Sequence, residues 1–197
     1  MLNLIAPALV EPVSLAEAKT WLRVTHTDED TLIAGLIGTA RERIEHHTAL
    51  GLITQSWSET LDDWPLTRVT NGLTALELAR GPLIRVDAVR MLNRDGGVTV
   101  WDNSEYRIEV GRQGRLIAIG AHRLPAVQRP VGGIEINFTI GFGPSGEDVP
   151  LALREAILRL VSKAYSSVEN AESAQRGSGG MPPDVADLIA PYRRVSL

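Results

Sequence analysis

The stretch "GFGPSG" at residues 141–146 has the glycine spacing of a phosphate-binding turn. In a dinucleotide site, such glycines let backbone N–H groups approach a pyrophosphate at the start of a helix. Here Glu147 and Asp148 follow at once and would repel phosphate, and Pro150 delays the next helix. No alternation of strands and helices surrounds the stretch. The sequence therefore predicts a strand-to-helix turn that binds no nucleotide or other cofactor.

The histidines and carboxylates do not form a recognisable metal or hydrolytic site. His46 and His47 are adjacent and point about 100° apart on a helix, whereas metal-binding pairs on a helix lie four residues apart. Asp28, Glu29 and Asp30 fall in the first turn of a predicted helix, where they suit the positive end of its dipole. The other candidates fall in expected loops or turns: His26, His122, Asp62 and Asp63. With no G-x-S-x-G elbow and no cysteine, we expect no catalytic or metal-binding residue and no enzyme activity.

Composition indicates an ordinary globular protein. The 197 residues are 44% hydrophobic and 22% charged, and the net charge of −4 argues against a broad basic surface for nucleic acid. The absence of cysteine gives secretion no support. The opening "MLNLIAPALVEPV" lacks the features of a signal peptide, and no run approaches the roughly 18 apolar residues of a membrane span. We expect a soluble protein made in the cytoplasm, without a membrane partner.

Two helices are predicted near the N-terminus. Ser14 and Glu17 have capping-box spacing, and the first helix should run to about Arg23. The second should begin at Thr27 or Asp28 and stop at Gly51. Its expected apolar stripe is Ile33, Leu36, Ile37, Ala40, Ile44 and His47.

From residue 52 to about 142 the periodicity becomes that of strands. Short alternating segments recur at hairpin spacing, and "NRDGG" predicts a tight turn between two of them. Pro150 then opens a long helix. Its expected buried stripe is Leu153, Ile157, Leu160, Val161, Ala164, Tyr165 and Val168.

Segregated helices and strands predict an α+β fold. We expect the N-terminal and C-terminal helices to form a helical bundle, with a mostly antiparallel β block inserted between them. The predicted segments are 1–51 (N-terminal helices), 52–142 (β insertion), 143–171 (long helix) and 172–197 (linker and C-terminal tail).

The C-terminal stretch "PPDVADLIAPYRRVSL" contains a helix too short to be stable alone, since isolated helices below about 12–15 residues are marginal in water. A linker rich in glycine and serine precedes it. Arg193 and Arg194 complement the end of this helix, or they flank an apolar plug for a protein partner. We expect the segment from Asp184 to Leu197 to be mobile in the free chain and to become ordered on a partner.

Several stretches together resemble the head–tail connector (adaptor) proteins of tailed phages and gene transfer agents. They are "EPVSLAEAKTWLRVTHTDED", "RERIEHHTALGLITQSW", "INFTIGFG", "VPLALREAILRLVSKAY" and "LIAPYRRV". Their order and distances match those of the family, whereas residues 66–130 carry little recognisable motif.

The resemblance implies a structural subunit of a ring, twelvefold in the family, between the capsid portal and a stopper or tail-completion protein. Such a protein assembles in the host cytoplasm and resides in the virion neck, where DNA passes through the ring without sequence-specific binding. The resemblance also implies that the C-terminal tail docks in the portal. Its expected contacts are Leu188, Ile189, Tyr192, Arg193, Arg194, Val195 and Leu197.

Two other classes stay open at this point. The β block could form the pocket of a soluble enzyme or ligand-binding protein. The N-terminal helices could form a regulatory DNA-binding module. Co-purification with a portal protein separates both from a connector, because neither predicts it.

Overall fold

The computed structural model describes residues 1–65, 67–68, 74–119, 124–169 and 180–194. Its helices and antiparallel strands confirm the α+β class. The helices are α1 (Leu15–Leu22), α2 (Asp30–Thr48), α3 (Leu151–Glu169) and α4 (Pro183–Ile189), with 3-10 turns at Gly146–Asp148 and Ala190–Tyr192. The strands are β1 (Leu2–Ala6), β2 (Gln55–Leu61), β3 (Thr67–Arg68), β4 (Thr74–Glu77), β5 (Leu83–Leu92), β6 (Val98–Val100), β7 (Tyr106–Glu109), β8 (Arg115–Ala118) and β9 (Ile134–Ile140).

The chain forms two compact units. The β unit comprises Met1–Ala8 and Thr54–Phe142, and the helical unit comprises Leu9–Ile53 and Gly143–Leu197. Residues Met1–Ala8 thus lie in the β unit. This differs from the sequence prediction, which placed them with the N-terminal helices. The reason is that β1 pairs antiparallel with β2, and the terminal amino group donates to the carbonyl of Thr60 at 2.6 Å.

The β unit contains two antiparallel sheets, of strand order β1-β2-β9-β5-β6 and β3-β4-β8-β7. β5 and β6 form the predicted hairpin. The Asn93 N–H donates to the Gly97 carbonyl at 2.9 Å, and Gly96 has a φ of 86°, which glycine adopts without strain. The core between the strands is apolar: Trp64, Leu76, Leu78, Leu83, Val89, Met91, Trp101, Tyr106, Leu116, Ala118, Ile134, Ile136, Phe138 and Ile140.

Helix α1 begins with the predicted capping box. The Glu17 N–H donates to Ser14 Oγ at 3.2 Å, and the Ser14 N–H donates to the Glu17 carboxylate at 2.9 Å. Arg23 ends the helix in the left-handed region, with φ 61°. The Glu17 carboxylate also pairs with Arg154 of α3. Hydrogen bonds from Ser14 and the charge of Arg154 lower the pKa of Glu17, the Ser14 backbone bond being the largest cause.

We expect Ser14→Ala to lower the free energy of unfolding by about 0.5–2 kcal/mol, because the Glu17 N–H loses its acceptor. Urea denaturation at neutral pH measures this. Thr20→Ala is the control, since the Thr20 hydroxyl only donates back to the Ala16 carbonyl within the same helix. Equal losses in the two variants would contradict a capping role for Ser14.

Both ends of α2 differ from the sequence prediction. Glu29 occupies the N-cap without a side-chain hydrogen bond, so neither Thr27 nor Asp28 caps the helix. The helix ends at Thr48, and Ala49 adopts φ 57°, two residues before the predicted stop at Gly51. A left-handed residue closes the helix as expected, but alanine takes the position usually held by glycine.

The buried stripe of α2 is also shifted at its end. His47 is exposed, and Glu45 is buried in its place. The Glu45 carboxylate can be buried because it accepts the Leu52 N–H at 2.8 Å and pairs with Arg41 at 2.9 Å. Leu36 is half-buried, and the remaining stripe residues are buried as predicted: Ile33, Ile37, Ala40 and Ile44.

Helix α3 packs against α1 and α2. Its buried residues follow the predicted stripe: Leu153, Ile157, Leu160, Val161 and Tyr165. Two positions near its end differ, since Ala164 is half-buried and Val168 is exposed. Within the described residues, no helix combines the length and apolar character needed to cross a membrane.

Candidate partner-binding segment

Helix α4 packs on α3 of its own chain. Pro183 and Asp184 stand in its first turn, where a fixed φ and a negative charge both favour a helix start. Val185 and Ile189, one helical turn apart, are 1% and 0% exposed. The expectation that this segment lacks packing in the free chain is therefore wrong for α4, because its own apolar stripe is covered within the helical unit.

Polar contacts attach the same segment at its start. Arg43 of α2 donates to the Gly180 carbonyl at 2.6 Å. Arg159 of α3 lies 3.3 Å from Asp184 and 2.6 Å from Glu155. These surface contacts orient α4, whereas most of its stabilisation comes from the buried side chains.

The expected portal contacts divide into three groups. Ile189 is buried, so its side chain holds α4 in place and is not available to a partner in this conformation. Leu188 and Tyr192 are half-buried, and Arg193 and Arg194 are exposed. Val195 and Leu197 lie outside the described residues, as do residues 170–179 of the predicted linker.

A group of basic residues lies near the end of α2. Arg43, His46 and His47 are exposed within one turn of α2, and the positive charge of Arg193 is one of the causes that lower the pKa of His47. Sequence analysis missed the effect of Arg193 because α2 and α4 are far apart along the chain. The available signal was the spacing of Arg43 and His47, four residues apart on one helical face.

Partial burial lowers the pKa of His47, and the positive charges of Arg193, His46 and Arg43 lower it further. The folded chain then takes up a proton less readily than the unfolded chain. Stability should therefore fall as the pH drops from 7.5 through the ordinary histidine pKa of about 6.5. We expect His47→Gln to lose less stability than the wild-type chain over this range, as measured by urea denaturation. An identical pH dependence in both proteins would contradict this.

The glycine-rich turn at residues 141–146 is hydrogen-bonded to the carboxylate of Asp148, which follows it. The Ser145 N–H donates to Asp148 at 2.9 Å, and the Glu147 N–H donates to Ser145 Oγ at 3.3 Å. A Cβ at Gly143 would lie 2.3 Å from the Asp148 carboxylate, and one at Gly146 would lie 2.6 Å from a backbone oxygen. Gly143 and Gly146 therefore allow close packing inside the chain, and the Ser145 N–H already donates to a carboxylate of the same chain.

The histidines and carboxylates that the sequence offered as possible metal-binding or catalytic residues form no common site among the described residues. His46 and His47 are exposed near the end of α2, and Asp30 pairs with Lys19 at 2.5 Å. His122 is outside the described residues. In the part of the chain that is described, no three histidine, aspartate or glutamate side chains are grouped to hold a metal ion.

Comparison with known proteins finds a family model that matches part of the chain and solved structures that are similar to it. A family model described as phage gp6-like head–tail connector protein matches residues 12–68, which span α1, α2, β2 and β3. No curated protein sequence matches the chain.

Solved structures are similar over nearly the full length. A chain from the neck of an empty GTA particle, computed with C6 symmetry, is 29% identical with a TM-score of 0.79. A chain from the virion of a native gene transfer agent (GTA) particle is 28% identical with a TM-score of 0.77. A chain from the neck of a native GTA particle, computed with C12 symmetry, is 27% identical with a TM-score of 0.78. Each match covers 100% of this chain and 97% of the other.

The family match lies on the residues that carried the resemblance, and the similar chains come from particle necks. These findings confirm the resemblance to the head–tail connector proteins, and they support a structural and not an enzymatic role for this chain.

Proposed function

We propose that this chain is one subunit of a closed ring in the neck of a phage or gene transfer agent particle, between the capsid portal and the stopper or tail-completion protein. The observation that carries the proposal is the similarity, over 100% of this chain, to a chain from a GTA neck computed with C12 symmetry. A fold shared from end to end supports the same place in the particle more strongly than a shared domain would.

The twelvefold symmetry of that neck supports a ring of twelve copies. Adjacent subunits of a cyclic ring meet through two different surfaces, one on each side of the protomer, and rotation closes the contact. The net charge of −4 suits a ring through which DNA passes, because an acidic protein does not retain phosphates along its wall.

The C-terminal segment is the proposed portal contact. Leu188 and Tyr192 offer partly exposed apolar surface, and Arg193 and Arg194 offer exposed cations. Val195 and Leu197 complete the contact proposed from the family likeness. Ile189 supports the contact indirectly, because its buried side chain keeps α4 in position.

Co-expression with the portal protein of the same particle tests the proposal. The two proteins should co-purify, and electron microscopy of the complex should reveal a ring of this chain on one face of the portal. A variant ending at Gly180 tests the tail, since it should lose portal binding. Binding by that variant at wild-type strength would contradict docking through the tail, and failure of the full chain to bind the portal would contradict the proposed position.

A further inference from the structure

Two exposed arginines of the β unit line one cavity beside the β5–β6 hairpin. The cavity has a volume of about 350 Å³, and its lining residues are Asn93, Arg94, Gly96, Arg129, Pro130 and Val131. The Arg94 guanidinium donates to the Gln128 carbonyl at 2.8 Å, which joins the hairpin to the loop that carries Arg129. Val131, in the same loop, is 67% exposed. We define the arginine face as Arg94, Arg129 and Val131.

Neither arginine of this face forms an ion pair with a carboxylate of the described residues. Two acids stand near it, and each accepts a backbone N–H of its own surroundings. Gly97 donates to Asp95 at 2.9 Å, and Gly132 donates to Asp62 at 2.7 Å. An arginine side chain stays charged at any ordinary pH. The arginine face therefore offers two guanidinium groups to carboxylates of another molecule.

A different surface, on the helical unit, is rich in carboxylates. Three of them share the Arg41 guanidinium of α2: Glu11 at 2.8 Å, Glu45 at 2.9 Å and Glu42 at 3.7 Å. The next cation along the helix, Arg43, donates instead to the Gly180 carbonyl. Carboxylates are ionised at neutral pH, so this surface carries an excess of negative charge.

Exposed apolar side chains and a further carboxylate lie beside these groups. Leu9 and Val10, directly before Glu11 in the chain, are 95% and 46% exposed. Glu147 is exposed, and a Cβ at the preceding Gly146 would lie 3.3 Å from the backbone oxygen of Glu11. We define the carboxylate face as Leu9, Glu11, Glu42 and Glu147.

The two faces complement each other, and both belong to the same chain. Each combines charged groups with an exposed apolar side chain, as the rim and core of protein interfaces do. Adjacent copies in a closed ring must meet through two different surfaces, and a complementary pair on one chain meets that requirement. A DNA contact would instead favour a wider basic surface than two arginines.

We propose that the arginine face of one copy docks on the carboxylate face of the next copy in the neck ring. The inference rests on the proposed ring and assigns its lateral contact. Arg94 and Arg129 pair with carboxylates of the adjacent copy, around an apolar contact between Val131 and Leu9.

The test mixes charge-reversed copies on purified portal rings. One variant carries Arg94→Glu and Arg129→Glu, and the other carries Glu42→Lys and Glu147→Lys. Either variant alone places like charges at every lateral contact, so half-occupancy of the portal should require a protein concentration about tenfold higher or more. An equal mixture should restore wild-type assembly, because the two variants can alternate around twelve positions and each contact then joins opposite charges. Native mass spectrometry counts the copies of each variant on the portal.

The matched control carries two charge reversals at exposed positions outside both faces, Lys163→Glu and Arg107→Glu. It should reach half-occupancy within about twofold of the wild-type concentration. Thermal melting should first establish that each variant is folded. A double variant that does not fold is replaced by the single change Arg129→Glu or Glu147→Lys, with the same expected pattern.

Four results would overturn the inference. Either variant may assemble alone at the wild-type concentration, or the mixture may fail to restore assembly; both results exclude contact between these two faces while the ring itself stands. A short DNA duplex may bind the wild-type chain and not the arginine variant while ring assembly is unchanged, which would make the arginine face a DNA contact. Failure of the wild-type chain to form a ring on the portal overturns the proposed function and this inference with it.

Discussion

Leu153→Asp is expected to unfold the helical unit or to lower its free energy of unfolding by about 4 kcal/mol or more. Leu153 is 0% exposed in the first turn of α3. The change removes a packed aliphatic side chain and forces a carboxylate into an apolar site, and both effects are destabilising. Urea denaturation followed by circular dichroism measures the loss.

Leu151→Asp is the matched control, because it makes the same chemical change two residues earlier on the same helix. Leu151 is 77% exposed. Its replacement should change stability by less than about 0.5 kcal/mol. A carboxylate in the first turn of a helix also interacts favourably with the helix dipole. Similar losses in both variants would contradict the packing of α3 described here.

The second large effect concerns α4. Ile189→Ala should free this helix from α3 and cost about 2–5 kcal/mol locally, because Ile189 is 0% exposed. Hydrogen exchange of the α4 amides should become much faster, since exchange reports local opening. Leu188→Ala, at the half-buried neighbouring position, should leave exchange nearly unchanged and weaken portal binding instead.

The two variants separate a folded docking element from a mobile tail. If α4 were mobile in the free chain, its amides would exchange quickly in the wild-type protein and Ile189→Ala would make no difference. Slow exchange in the wild-type protein and in Leu188→Ala, lost in Ile189→Ala, is the expected pattern.

Patterns among neighbouring residues were enough to predict most of the helices and strands. The capping box of Ser14 and Glu17 placed α1, and the turn around Gly96 placed the β5–β6 hairpin. Each depends on residues within a few positions of one another. Strand β1 was missed because its sequence, LNLIA, does not alternate clearly and its partner β2 lies some fifty residues away.

The candidate partner-binding segment was harder to predict, because its contacts also join residues that are far apart in the sequence. The spacing of Val185 and Ile189 already indicated one apolar face on α4, but only the fold reveals that α3 covers it. The apparent mobility was inferred from linker composition, which says nothing about where the following helix packs. The contact of Arg43 with the Gly180 carbonyl likewise depends on the packing of the helical unit.

The most direct test of the central claim is an electron cryomicroscopy map of the neck of the assembled particle. The account predicts a closed ring of twelve copies of this chain beneath the portal, with Leu188, Tyr192 and Arg193 of each copy in contact with the portal. A neck built without this chain, or a ring in which those three residues face away from the portal, would contradict it.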